Sequence, residues 1–352
     1  MQKSSVNNHI VTISLNAPYL IFIGDVAEEA YAKTGFGIVQ WRHDLVAGQL
    51  RLSCRAADMG VPDLSIPDAV AAGVKSLIIG VAPIGGNIPD AWWQVIEEAA
   101  RAGLDIVGGL HVKLAHMPAI VDAAKKSGAR LIDVRTPPSN LSVGTGKKRR
   151  GKRVLMVGTD CAVGKKYSAL ALNKAMRDVG MKSTFRATGQ TGIMIAGEGV
   201  PIDAVVSDFL SGAAEMVCPD NDDDHFDIIE GQGSLFHPAY AGVSLGLLHG
   251  SQPDAIVVCH DASRTEISGW TGFPIPSVND CIKRNILEGS LTNPAIQCVG
   301  VSVNTSTIPE AYRVSYLTAL SLKTNLPCID PIANGCGLIV KNIQKTFKNT
   351  FN

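Results

Sequence analysis

A chain of 352 residues exceeds what one ordinary hydrophobic core fills and suits two domains of common size. It is 46% hydrophobic and 18% charged, with 35 glycines scattered along it, which fits a globular protein and excludes a fibrous repeat. Lys+Arg and Asp+Glu both number 32, and this balance excludes a global electrostatic pull toward nucleic acid or an anionic membrane.

The 8 cysteines stand apart, with no C-x-x-C pair and no knuckle spacing with histidine, the usage of reduced thiols in a cytoplasmic protein. The opening apolar stretch is interrupted by Asn16 and Pro18 and reads as a first strand, not as a signal peptide. No stretch approaches the roughly 18 uninterrupted apolar residues of a membrane span, so no membrane partner is expected.

From Ala17 to Arg135, "YLIFIGD", "SLIIGVA", "LDIVGGL" and "ARLIDVR" read as buried strands. Between them "IPDAWWQVIEEAARAG" opens with Pro89-Asp90, sets Trp92, Ile96 and Ala99 on one face and stops at Gly103, as a capped helix does. The alternation predicts an α/β fold with a Rossmann-like parallel sheet over residues 1–140.

Residues 136–153, "TPPSNLSVGTGKKRRGKR", interrupt that pattern with paired prolines and a basic cluster, and mark the domain boundary. The cluster reads first as a solvated linker. A nucleic-acid surface used by a nucleotide-sensing regulator is the rival reading, and no nucleic-acid partner is expected.

Beyond it the alternation resumes through "RVLMVGT", "KSTFRAT", "FDIIEGQGS", "DAIVVCH" and "AIQCVGVSVNT". A long helix "IPEAYRVSYLTALSLKTN" precedes a last strand "PCIDPIANG", and the polar tail from Lys341 onward reads as frayed. Residues 141–352 therefore form a second α/β domain, of the P-loop NTPase-like kind.

That domain opens with its most informative stretch, "RVLMVGTDCAVGKKYSALALNKAMRDVG". A strand runs into Gly158, and Gly164-Lys165 opens a helix whose Ala169, Leu172, Met176 and Val179 form an inward stripe. Successive backbone N–H groups, the helix N-terminus and a lysine make such a turn a phosphate cradle. Gly158, Thr159, Asp160, Cys161, Gly164, Lys165, Lys166 and Tyr167 are its candidate binding residues.

The usual G-x-x-x-x-G-K-[ST] pattern is missed twice. Five residues separate the glycines, and Lys166 stands where a hydroxyl would ligate magnesium. A loop with a second ammonium there holds a pyrophosphate without activating a γ-phosphate. It is expected to need no metal and to bind a nucleotide whose phosphates serve only as a handle, such as coenzyme A.

"GTDCAVGKK" resembles the loop of dethiobiotin synthetase. The longer run from "MVGTDCAVGKKYSALAL" through "SDFLSGAAE", with "DIIEGQGSLFHPAY", resembles the D-glutamate N-acetyltransferase family. The likeness extends to "VAPIGG", "GLH" and "DVRTPP" in the first domain. It implies transfer of the acetyl group of acetyl-CoA to the amine of a D-amino acid, typically D-glutamate. A racemase acting on N-acetyl-D-glutamate is the implied pathway partner, and the chain is expected to form a homo-oligomer.

Acetyl transfer needs a base for the amine, donors for an oxyanion and cations for substrate carboxylates. Glu230 ends a buried strand at the carboxyl side, where open sheets place ligands, and it is the first base candidate. Gly231 and Gly233 let backbone approach a ligand, and the N–H groups of Gly233 and Ser234 are the oxyanion candidates. His237 has the intrinsic pKa of a base near neutrality, while His111 and His260 end apolar strands and read equally as structural.

Asp203 and Asp208 lie five apart, on different sides of any one helix. Asp208 is attached to the site by the resemblance. Arg186, Arg264 and Arg135 follow strand ends and are candidate carboxylate clamps. Direct attack in a ternary complex is the expected mechanism, and a covalent route through Cys161 is its alternative. The rival activity is an ATP- and magnesium-dependent ligase or kinase of the dethiobiotin synthetase type, with Asp160 or Glu230 replacing the lost hydroxyl.

Overall fold

The structure, a computed structural model, describes residues 12–29, 31–81 and 88–348, and within them the chain divides into two compact units. One unit comprises residues 12–136 with 193–201, and the other residues 137–192 with 202–348.

In the first unit β1 (Tyr19–Gly24), β2 (Val46–Arg51), β3 (Ser76–Ile79), β4 (Asp105–Gly108) and β5 (Leu131–Asp133) form one sheet. Its order is β2-β1-β3-β4-β5 and every pairing is parallel. That is the flavodoxin-like order of doubly wound sheets. β1 and β3 are buried along their whole length, as continuous apolar runs in a parallel sheet must be. The helix Asp90–Arg101 buries Trp92, Ile96 and Ala99, the face its spacing predicts.

β2 escapes sequence reading because "VAGQLR" has no apolar run. Its buried Gln49 is satisfied by donating to Asp58 Oδ1 at 2.8 Å and to the Val61 carbonyl at 2.9 Å. In "VAPIGG" only Val81 is among the described residues.

The second unit holds β6 (Lys152–Gly158), β7 (Ser183–Arg186), β8 (Phe226–Ile229), β9 (Ala255–Asp261), β10 (Gln297–Asn304) and β11 (Cys328–Ile329). They pair in parallel in the order β11-β10-β9-β6-β8-β7. The six-residue run from Arg153 to Gly158 is buried because neighbours flank β6 in the sheet and helices cover its faces. A fully buried Val154 contributes about 1.5–3 kcal/mol of hydrophobic stabilisation.

Two expectations are corrected. The basic cluster is not a free linker. Arg153 is fully buried and pairs with Asp254, which Lys148 also reaches, while Arg150 pairs with Asp220 and Arg149 donates to the carbonyls of Gly250 and Ser251. Burying the Arg153 cation requires a partner, so it fastens the start of β6 to the unit, while Lys147, Lys148 and Arg150 stay exposed. The described part of the tail, to residue 348, is not frayed either, since a helix Gly337–Thr346 buries Ile339, Val340 and Ile343. Its polar letters belong to the exposed side of an amphipathic helix.

Candidate active site

The chain builds β7 and β8 on one side of β6 and then crosses to lay β9 on the other. Where the winding reverses, the carboxyl ends of neighbouring strands splay apart and leave a crevice. The segments following β8, β6 and β9 therefore lie side by side, although long stretches of sequence separate them.

After β6 the chain turns through residues 159–164 into the helix Lys165–Asp178, here the loop helix. Its N-cap, Gly164, has φ +94°, makes no side-chain cap, and no acidic residue follows in the first turn. The first two helical residues are instead Lys165 and Lys166, so positive side chains meet the positive end of a helix. Like signs there oppose folding until an anion arrives, and uncapped N–H groups supply its donors.

Lys165 is 7% exposed and donates from Nζ to the Asp160 carbonyl at 2.8 Å. Burial pushes its ammonium pKa down. Lys166 Nζ lies 4.6 Å from the centre of the Tyr167 ring. Thr159 is fully buried and its hydroxyl meets His260 Nδ1 at 3.0 Å. Ala169, Leu172 and Met176 of the inward stripe are buried, whereas Val179 caps the helix and is exposed.

Glu230 follows β8 and is 4% exposed. One carboxylate oxygen, Oε2, accepts the N–H groups of Thr188 and Gly189, each at 3.0 Å. A Cβ on Gly192 would stand 2.2 Å from that oxygen, so only glycine admits the carboxylate at this place. Burial pushes the Glu230 pKa up to about 7, against the Thr188 hydrogen bond and the charge of Lys166, while Asp203 reinforces the rise. A carboxylate poised near neutrality, bonded on one oxygen, has the properties of a general base.

Thr188, Gly189 and Gly192 were missed by sequence reasoning. Their signal was the pair of glycines three apart in "ATGQTG", directly after β7.

Asp160 is fully buried in the loop. Its Oδ1 accepts the Cys161 N–H at 2.6 Å, and its Oδ2 accepts the Ser268 N–H at 2.8 Å and the Arg264 guanidinium. Arg264 also donates to the carbonyls of Cys161 at 2.7 Å and Ala162 at 3.3 Å. This differs from the expected clamp, because those donors face the protein's own loop.

His237 also departs from expectation. It is 1% exposed, wedged between Tyr240 and Trp270 with both ring centres at 4.5 Å. Nδ1 accepts the Ala239 N–H at 3.2 Å, which places the proton of the neutral ring on Nε2, 4.0 Å from Asp160 Oδ1. Burial lowers its pKa further. Buried between two rings, with Nδ1 engaged by the Ala239 N–H, His237 packs beside Asp160 of the loop.

The remaining candidates disperse. Arg186 is buried in an ion pair with Asp227 at 2.7 Å. Arg135 belongs to the other unit, where it meets His111 Nδ1 at 2.8 Å. Asp203 and Asp208 sit on two separate single turns, Ile202–Ala204 and Ser207–Phe209, and Asp203 is the one whose charge acts on Glu230.

Ser234 is 2% exposed and its hydroxyl accepts the Phe236 N–H at 3.3 Å. Gly231 does permit a close approach, but to the Met156 carbonyl of β6, 1.6 Å from where its Cβ would be, and not to a ligand.

Asp160, Cys161 and His237 also bring three ligand-type atoms within 4.8 Å of one another. Both oxygens of Asp160 are already held by donors, and Arg264 and Lys165 stand beside it, so this trio does not suit a metal cation.

Comparison with known proteins finds two family domains, with residues 193–201 of the first structural unit falling inside the P-loop match. Residues 142–340 match the P-loop domain of unknown function DUF1611_C, and residues 47–137 match the Rossmann-like domain DUF1611_N. A protein of Tritonibacter scottomollicae named D-glutamate N-acetyltransferase is 45% identical over 93% of this chain and 98% of its own. One of the same name from a Pseudoalteromonas species is 45% identical over 94% of this chain and 100% of its own. The crystal structure of a DUF1611 family protein from Anabaena variabilis superposes with a TM-score of 0.85 at 32% identity, over 95% of this chain and 100% of that one. With two parallel sheets, an uncapped phosphate loop and full-length relatives, the chain belongs to the family of those D-glutamate N-acetyltransferases and carries both DUF1611 domains.

Proposed function

We propose that this protein is an N-acetyltransferase that moves the acetyl group of acetyl-CoA to the amino group of D-glutamate. The observation that carries the reading is its 45% identity, over nearly the whole chain, to two relatives bearing that name. The P-loop domain, matched over residues 142–340, carries the chemistry, rather than the Rossmann-like domain matched over residues 47–137.

Acetyl-CoA supplies an activated acyl group, and its phosphates suit the uncapped end of the loop helix with Lys165 and Lys166. Lys166, standing where a magnesium-binding hydroxyl would be, serves as a second anchor, so transfer proceeds without magnesium or ATP. The substrate amine arrives as an ammonium and must lose a proton before it attacks. Glu230, ionised above about pH 7, accepts it. Its carboxylate is aimed beforehand by the N–H groups of Thr188 and Gly189.

The enzyme works in the cytoplasm; no helix among the described residues is long and apolar enough to cross a membrane. A homo-oligomer would cover the exposed Tyr312, Val314 and Leu322 of the helix Glu310–Thr324. A racemase acting on the N-acetylated product follows in the pathway.

The test is release of coenzyme A thiol from acetyl-CoA with D-glutamate, L-glutamate or no amine. Thiol appearing with D-glutamate alone, in the presence of a chelator, is expected. Absence of thiol with every amine, together with magnesium-dependent ATP hydrolysis, would replace this reading with a ligase or kinase.

A further inference from the structure

The phosphate loop is held in its shape from outside. Ala162 has φ +53°, in the left-handed region that costs a non-glycine residue about 1–2 kcal/mol, and Gly164 follows at +94°. Such alternation turns successive N–H groups toward one point, as an anion cradle requires, but it does not persist without a tie.

The tie comes from the segment after β9. Arg264 reaches back 104 residues in sequence to the buried Asp160 carboxylate and grips the carbonyls of Cys161 and Ala162. In a trans peptide the C=O of one residue and the N–H of the next point in opposite directions. Holding those two carbonyls on the Arg264 side therefore turns the N–H groups of Ala162 and Val163 to the other side. Asp160 completes the tie by fixing the Cys161 N–H on Oδ1 and the Ser268 N–H on Oδ2. Arg264 is itself steadied, with its N–H on the Asp261 carbonyl at 3.2 Å and Nε 3.9 Å from Asp261 Oδ2.

We propose that Arg264 is the positioning residue of the phosphate loop, holding the Cys161–Ala162 and Ala162–Val163 peptide planes in the anion-receiving arrangement before the ligand arrives. This rests on the loop's binding the phosphates of acetyl-CoA. Arg264 acts through the loop, so its loss is felt in the affinity for the coenzyme and not in the affinity for the amine.

The experiment uses the full chain with Arg264→Lys, Arg264→Gln and Arg264→Ala. Lysine keeps the charge and loses the fork, glutamine loses both, and alanine leaves room for added methylguanidinium. Calorimetric titration with coenzyme A and with inorganic pyrophosphate, KM for each substrate, kcat and melting temperature are measured.

KM for acetyl-CoA and the Kd of coenzyme A should rise about tenfold to hundredfold in Arg264→Gln. KM for D-glutamate should hold, and kcat at saturation should stay near the wild-type value. Arg264→Lys should fall between, and methylguanidinium should restore coenzyme affinity to Arg264→Ala.

A rise confined to KM for D-glutamate would make Arg264 a substrate clamp and overturn the proposal. A loss shared by all constants in step with a lower melting temperature, with no rescue, would reduce it to a structural residue. Should the wild type bind pyrophosphate but not coenzyme A, the functional reading fails alone, and weaker pyrophosphate binding by Arg264→Gln would still uphold the positioning role. Failure to bind either probe would overturn both.

Discussion

Two helices of the P-loop domain begin in opposite ways. The helix Val278–Gly289 closes its own start, with the Ser277 hydroxyl accepting the Asp280 N–H at 3.1 Å and donating to the Asp280 carboxylate at 2.6 Å. The loop helix has a left-handed glycine, no side-chain cap and two lysines. One start carries a side-chain cap, and the other has none. Positions that a stability argument would mark as faults are where the coenzyme phosphates are proposed to bind.

A third start lies between them. The N–H groups of Thr188 and Gly189, at the entrance to the helix Gln190–Ala196, are met by the distant carboxylate of Glu230, the proposed base. Glu230→Gln separates the two roles, because an amide oxygen still accepts those N–H groups while the base is lost. The variant should lose about 10²–10⁴-fold in kcat, measured by thiol release.

The pH dependence sharpens the point. Wild-type activity should rise as pH passes through about 7, where Glu230 ionises, and the variant should lack that limb. Stability should run the other way. With its folded pKa raised from 4.5 to about 7, Glu230 lends stability that is fully present below 4.5 and lost as pH rises through about 7. Denaturation series at several pH values should show that slope in the wild type and not in Glu230→Gln.

Removing the loop's inner cation breaks the contrast from the other side. Lys165→Gln should cost about 10²–10³-fold in kcat/KM for acetyl-CoA, while melting no lower than the wild type, since burial already opposes that ammonium. Lys166→Gln should raise KM for acetyl-CoA more mildly and stabilise the free protein by about 0.3–1 kcal/mol, because one like charge leaves the positive helix end. It should also move the acid limb upward, as Lys166 no longer favours ionised Glu230. The smallest effect is expected at the satisfied end. Ser277→Ala should lose about 1 kcal/mol of stability in denaturant titration and leave both KM values unchanged.

How much of this was legible follows the range of the interactions. β1, β3, β6 and β9 are continuous apolar runs, and the face of the helix Asp90–Arg101 repeats at helical spacing, so both can be read locally. β2 and the helix Gly337–Thr346 were missed because their polar residues are bonded or turned outward in ways that only packing arranges. Glu230 was found from its place at a strand end. Its hydrogen-bond partners lie 41 and 42 residues away and were not found.

The amino-acid sequence by itself determined the two α/β domains, the phosphate loop with its displaced hydroxyl and the family to which the chain belongs, since strand runs, glycine turns and helix starts are short-range features. Only the tertiary structure decided which charge serves which. The crossing from β8 past β6 to β9 set Arg264 on Asp160, enclosed His237 between aromatic rings and buried Glu230 until its pKa reached about 7. Desolvation and partner choice depend on neighbours in space, and neighbouring strands of a parallel sheet are far apart in sequence.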